Sequence, residues 1–94
     1  MKIEIFGNPA CAFCRTTKNK LSHFLRKWGC SGAVELVFVD LDTVDGRAEA
    51  AFRDVYDVPT TIVSDNGTVL ARWDKVVPQA DDVKKALEGC VSPR

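Results

Sequence analysis

No stretch of this chain of 94 residues approaches the roughly 20 consecutive apolar residues needed to cross a bilayer. Charge of one sign is missing too. Lys and Arg number 13, Asp and Glu number 13, and the formal net charge is zero. A nucleic-acid-binding domain carries a positive balance and a basic stripe; neither is present, so no nucleic-acid or membrane partner is expected. The basic run Lys18, Lys20, Arg26 and Lys27 reads as a solvated helix face. Histidine occurs once, as His23. There is no internal repeat, linker or low-complexity segment. Met1 to Phe6 is too short and too alternating for a signal peptide. The default location is the cytoplasm, where thiols are kept reduced.

What is there suits one small domain. Apolar residues make up 46% and charged residues 28%, which excludes wholesale disorder. A chain of this size buries about 60–65% of its unfolded surface in one core. The domain is expected over 1–90, with 91–94 a frayed tail.

Lys2-Ile3-Glu4-Ile5-Phe6 alternates polar and apolar residues and predicts a strand, ended by Gly7-Asn8-Pro9. A helix follows over about Ala12 to Trp28. Cys14, Thr17, Leu21, Leu25 and Trp28 recur at intervals of three and four, with Phe24 beside them, and Gly29 and Gly32 supply the stop. Ala33 to Val39 is almost continuously apolar and predicts a strand buried on both faces. Thr43 or Asp45 is suited to cap a second helix over about Asp45 to Tyr56, with Ala48, Ala51, Phe52 and Val55 inward. Thr60 to Ser64 and Thr68 to Trp73 flank Asp65-Asn66-Gly67, a strong hairpin signal. A last helix, about Ala80 to Gly89, buries Val83, Ala86 and Leu87. The order is β-α-β-α-β-β-α, an α/β fold with a four-stranded mixed sheet flanked by three helices. Its first two strands are parallel through a right-handed crossover, and its last two form an antiparallel hairpin.

Cys11-Ala12-Phe13-Cys14 stands where the first strand hands over to the first helix. A helix N-terminus has unpaired N–H groups and a positive dipole end. Both favour a thiolate, so the thiol of Cys11 should ionise readily. Cys14, one turn in, can reach the same sulfur and displace a mixed disulfide. Arg15 and Lys18 add positive charge that would help stabilise the thiolate. Phe13, between the cysteines, is placed to touch substrate. Half of a zinc site also has this spacing, but Cys30 and Cys90 lack it and His23 lies turns away along the helix. A metal-carrying module of the copper-chaperone type also starts a first helix with such a pair. It usually has Met two residues before the first Cys, where Pro9 stands here, and its element order differs. Val58-Pro59-Thr60 opens the third strand at the same sheet end as Cys11. A proline there forgoes a ladder donor and can be cis, leaving backbone groups beside the sulfur free for an extended substrate. A plain helix-stop proline is the alternative.

These motifs, in this order, resemble the thioredoxin-like superfamily from the first strand to the last helix. The resemblance rests on Cys11-Ala12-Phe13-Cys14, on the segment from Phe52 to Thr60 with its Val-Pro-Thr, and on the hairpin and tail helix. It implies that Cys11 is the nucleophile, Cys14 the resolving thiol and Pro59 the cis-proline. Val58 would pair through its backbone with bound substrate, beside Thr60. The implied activity is thiol–disulfide exchange on protein disulfides, through a redox-active Cys11–Cys14 disulfide and with no bound cofactor or metal. Thioredoxin reductase or the glutathione system would return the electrons, and a monomer is expected.

Departures are specific. Thioredoxins usually carry Trp-Cys-Gly-Pro-Cys; here Ala10 precedes Cys11 and the dipeptide is Ala12-Phe13. They also bury an aspartate six residues before the nucleophile, and Ile5 stands there. Glu4 is adjacent but should point to the opposite face. Glutaredoxins carry Cys-Pro-Tyr-Cys, which Phe13 partly echoes. Their glutathione site has Thr-Val-Pro, where this chain has Asp57, and a Gly-Gly pair, where Gly67 stands alone. An acidic residue there disfavours a glutathione carboxylate, so a glutathione-dependent glutaredoxin is the alternative reading. Cys30 and Cys90 each follow a helix on one sheet face. A disulfide between them and two separate thiols are both compatible with that placement, the second being expected in a reducing compartment. His23 should lie on the surface, Trp28 in the core, and Trp73 at the hairpin end.

Overall fold

The computed structural model describes residues 1–87. Its elements are β1 (Lys2–Gly7), α1 (Ala12–Lys27), β2 (Glu35–Asp40), α2 (Val44–Phe52), β3 (Thr60–Asp65), β4 (Thr68–Asp74) and α3 (Ala80–Ala86). The strands form one sheet in the order β2-β1-β3-β4. β1 runs parallel to β2 and antiparallel to β3, and β3 pairs antiparallel with β4. This is the mixed sheet expected from the sequence, with its three helices.

The pleat sorts the core into two clusters. Ile3 and Ile5 of β1 and Val63 of β3 face α1 and α3, where they meet Leu21, Leu25, Val83 and Leu87. Phe6 and Ile62 face the other way and meet Val39, Ala50 and Val55. The α1 stripe of Cys14, Thr17, Leu21 and Leu25 is buried as its spacing requires. Trp28 is only half-buried, because it ends the helix beside the sheet and stacks on Phe24 with ring centroids 5.1 Å apart.

Three expectations are corrected. β2 is not buried on both faces: apart from Val39 its residues are exposed or half-buried. It lies at the sheet edge, so the helices cover the central β1 and β3 more completely. The second helix ends at Phe52 rather than Tyr56, and Ala48, Ala51 and Phe52 point to solvent. Its inward residues are Gly46 and Ala50, with Val55 following. The cause is a cap that contains no glycine. Asp54 takes the left-handed conformation (φ 54°), Val55 N–H donates to Ala50 O at 2.8 Å and Asp54 N–H to Ala51 O at 3.3 Å. This Schellman closure folds Val55 back onto Ala50. At the other end Thr43, not Asp45, is the cap, its hydroxyl oxygen accepting from Gly46 N–H at 2.9 Å.

α1 closes in the same way, with Gly29 at φ 72° and Cys30 N–H donating to Leu25 O at 2.8 Å. In the β3–β4 hairpin Asn66 (φ 52°) and Gly67 (φ 85°) both adopt positive φ, the signature of a type I′ turn. α3 ends at Ala86 with Leu87 as its C-cap, short of the expected Gly89; the tail 91–94 and Cys90, and hence any Cys30–Cys90 disulfide, lie outside the described residues. Among the described residues, no helix is long and apolar enough to cross a membrane.

Candidate active site

β1 ends at Gly7, and the chain turns through Asn8-Pro9-Ala10 to start α1. Cys11 N–H donates to Asn8 O at 3.0 Å, closing that turn. Cys11 is then the N-cap of α1, with extended backbone (φ −78°, ψ 119°). Its Sγ accepts from Cys14 N–H at 3.2 Å. Capping is normally done by Ser, Thr, Asp or Asn oxygen; here a sulfur occupies the acceptor position. A cap acceptor binds more strongly when negative, because the helix N-terminus carries positive partial charge.

The two thiols are thereby driven apart. Cys11 is lowered below the ordinary thiol range, first by the hydrogen bond from the Cys14 side chain and then by the Cys14 backbone N–H, with a smaller coulombic share from Arg15. Cys14 is raised to about 11, first because burial disfavours its thiolate and then because of the neighbouring Cys11 sulfur. The pair thus combines a part-exposed sulfur whose ionisation is eased with a buried thiol that keeps its proton at neutral pH.

Gly7 makes room for Cys14. A Cβ at Gly7 would overlap Cys14 Sγ and lie 2.8 Å from its Cβ. The local sequence marks Gly7 only as a turn residue. Its packing role needs the tertiary approach of α1 to the end of β1.

The third strand begins beside this site. β1 and β3 pair with Phe6 opposite Thr60, so Pro59 sits at the sheet end from which Cys11 emerges. The Val58–Pro59 peptide is cis. Pro59 and Thr60 are buried, and Thr60 Oγ1 donates to Asp57 O at 2.6 Å. Phe13, Val58 and Pro59 line one groove of about 460 Å3 together with Lys75, Val76 and Val77. Phe13 is 68% exposed and Val76 52%, so both present apolar surface to solvent there. Lys75, Val76 and Val77 were not among the sequence-derived site residues. The available signal was two valines in the loop before Pro78.

Arg15 and Lys18 line a second groove of about 290 Å3 with Pro9 and Phe38. Lys18 Nζ stands 5.7 Å from the Phe38 ring centroid, and Lys18 is not among the groups that lower Cys11. His23 is exposed, its ring 6.0 Å from that of Phe24. Ile5 is fully buried, and Glu4 faces the other side of the sheet, paired with Arg53 at 2.9 Å. Among the described residues, no three or more His, Cys, Asp or Glu side chains gather where they could hold a metal ion.

A Cys-x-x-Cys at the N-terminus of the first helix, on a β2-β1-β3-β4 sheet with a proline opening β3, defines the thioredoxin-like fold. Solved structures agree. The chain matches thioredoxin 1 of Thermosipho africanus with TM-score 0.69 and 24% identity, covering 95% of this chain and 92% of that one. It matches thioredoxin-2 of a malaria parasite with TM-score 0.76 and 24% identity over 94% and 81% of the two chains. Thioredoxin O2 of Arabidopsis thaliana, in its oxidised state, gives TM-score 0.74 and 20% identity over 97% and 75%. No protein-family model matches the sequence, and no curated protein matches it significantly.

Proposed function

We propose that this protein is a dithiol thiol–disulfide oxidoreductase acting on protein disulfides, with Cys11 as nucleophile and Cys14 as resolving thiol. One observation carries the reading: the Cys11 sulfur caps α1 and is driven toward the thiolate, while Cys14, hydrogen-bonded to it, is held protonated. The Cys11 thiolate attacks a substrate S–S bond, forming a mixed disulfide and releasing one substrate thiolate. Cys14 then loses its proton and attacks Cys11 Sγ. The second substrate sulfur leaves as a thiolate, and the Cys11–Cys14 disulfide remains. Two electrons have passed to the substrate. With Ile5 buried where a carboxylate could otherwise serve, and Glu4 on the far face, the departing substrate thiolate takes the Cys14 proton. Val58, Pro59 and Thr60 open the edge along which the substrate lies, and Phe13 covers it from the helix side. A reductase or the glutathione system restores the dithiol in a reducing compartment such as the cytoplasm.

Insulin-disulfide reduction tests this directly. Cys11→Ser should abolish it, and Cys14→Ser should accumulate mixed disulfides seen by mass after acid quench. Full activity in Cys11→Ser would overturn the mechanism. Recycling by thioredoxin reductase, compared with glutathione and its reductase, identifies the electron donor.

A further inference from the structure

Both grooves reach residues two positions from Cys11, Phe13 in one and Pro9 in the other. Their walls are apolar or cationic apart from the neutral amide of Gln79 in the first. Lys75 is the charged residue of the first, Arg15 and Lys18 are those of the second, and no acidic side chain lines either. Asp57 is exposed next to Val58 but lines neither groove.

These three cations differ from the arginines on the α2 side. Arg53 is engaged by Glu4 and Glu49, and Arg72 by Asp74 and the carbonyls of Arg53 and Asp54. Arg47 donates to the carbonyls of Leu41 and Asp42. Arg15, Lys18 and Lys75 are exposed, and among the described residues none of them is in an ion pair. α1 carries Arg15, Lys18, Lys20, Arg26 and Lys27 and no acidic residue. In a chain of zero net charge, positive potential is thus concentrated on the helix that presents the nucleophile.

The backbone at Lys75 adds a second, independent sign. Lys75 has φ 61°, in the region that favours glycine, and its N–H donates to Pro59 O at 2.8 Å. A long cation therefore leaves the chain from a point tied to Pro59. A residue held in sparsely populated backbone space beside a reactive group is a reason to look for function.

We propose that the preferred substrate is a polypeptide disulfide whose cysteine is flanked by acidic and apolar residues, its carboxylates meeting Lys75, Arg15 and Lys18 and its apolar side chains meeting Phe13, Val76 and Val77. This rests on the oxidoreductase reading above and adds to it the chemistry of the partner. Thiolate attack, release of the substrate thiolate and closure by Cys14 proceed as already written, and the cations act on encounter and binding. Apolar walls require side chains beside the cysteine, which a polypeptide supplies and glutathione lacks.

The test uses peptide disulfides identical except that the residues flanking one cysteine are Glu or Lys, reduced by the full chain. The readout is the ratio of their kcat/KM values, in which any change in the reactivity of Cys11 itself cancels. At about 0.01 M salt the Glu peptide should be favoured by roughly three- to tenfold, the size two or three exposed ion pairs provide. The preference should shrink toward one at about 1 M salt, where the screening length is only about 3 Å. Lys75→Glu should lower the ratio further than Lys75→Gln. Equal rates on both peptides, or a preference indifferent to salt and to Lys75, would overturn the proposal. Glutathione disulfide reduced as efficiently as the Glu peptide would overturn its polypeptide part. Failure to reduce insulin and both peptides alike would instead remove the oxidoreductase reading.

Discussion

Cys11 shows how one residue's chemistry follows from its place at a helix start. The same thiol inside a helix would have no orphan N–H to accept from. As N-cap it receives the Cys14 N–H at 3.2 Å and is lowered from the ordinary thiol value. Iodoacetamide alkylation followed by mass spectrometry should therefore show Cys11 reacting with a pH midpoint below that value, and Cys14 far more slowly until alkaline pH. The stability of the reduced protein carries the opposite sign. Cys14 is raised from 9.0 in the unfolded chain to about 11 when folded, so the folded state holds its proton more tightly. Its contribution is complete below pH 9 and is lost as pH climbs toward 11. Denaturant midpoints of the reduced protein should fall across that window relative to Cys14→Ala, which has nothing to titrate there. Gly7 is the third residue to test. Gly7→Ala drives a methyl into Cys14, which should cost about 1–3 kcal/mol and disturb the titration of the pair.

At the scale of elements, α1 was legible because one stripe satisfied both the helical period and the burial, and because Gly29 marks its end. α2 was not. Its apolar residues Ala48, Ala51 and Phe52 follow the same period on the solvent side, so periodicity alone points to the wrong face. The true inward face is marked by Gly46 and Ala50, small residues that carry little hydrophobic signal. Its end was hidden because Asp54 does the work usually done by glycine. Asp54→Gly should relieve the left-handed conformation and raise stability by about 0.5–1 kcal/mol, measured by urea denaturation. A loss of stability instead would mean that the Tyr56 hydroxyl bond to Asp54 Oδ1, at 3.3 Å, outweighs that relief. The hairpin needed no tertiary information, since Asn-Gly between β-rich runs selects its own turn.

For the molecule as a whole, β1 joins the two layers. Alternate residues bury Ile3 and Ile5 under α1 and α3, and Glu4 and Phe6 under α2. Glu4 is 2% exposed and is held by Arg53, which follows α2 directly, at 2.9 Å. Removing the arginine alone leaves a buried carboxylate without its cation. Arg53→Ala should cost about 3–5 kcal/mol, read as a lower thermal midpoint. A loss below about 1 kcal/mol would show that Lys2, at 3.9 Å from Glu4, or water can replace it.

By itself the sequence determined the element order, the hairpin, the buried stripe of α1 and the pair of cysteines at a helix start, because each is encoded in residues close together along the chain. The tertiary structure alone decided that β2 is an edge strand, which face of α2 turns inward, that Gly7 yields space to Cys14, and that Lys75 and its valines share a groove with Phe13 and Pro59. Those outcomes depend on contacts between different elements and loops, such as Phe13 with Pro59 across one groove and Arg72 with the Arg53 carbonyl 19 residues away. Local propensity carries no record of such contacts. They are set when the sheet order places β1 and β3 at the centre and brings distant loops to one end.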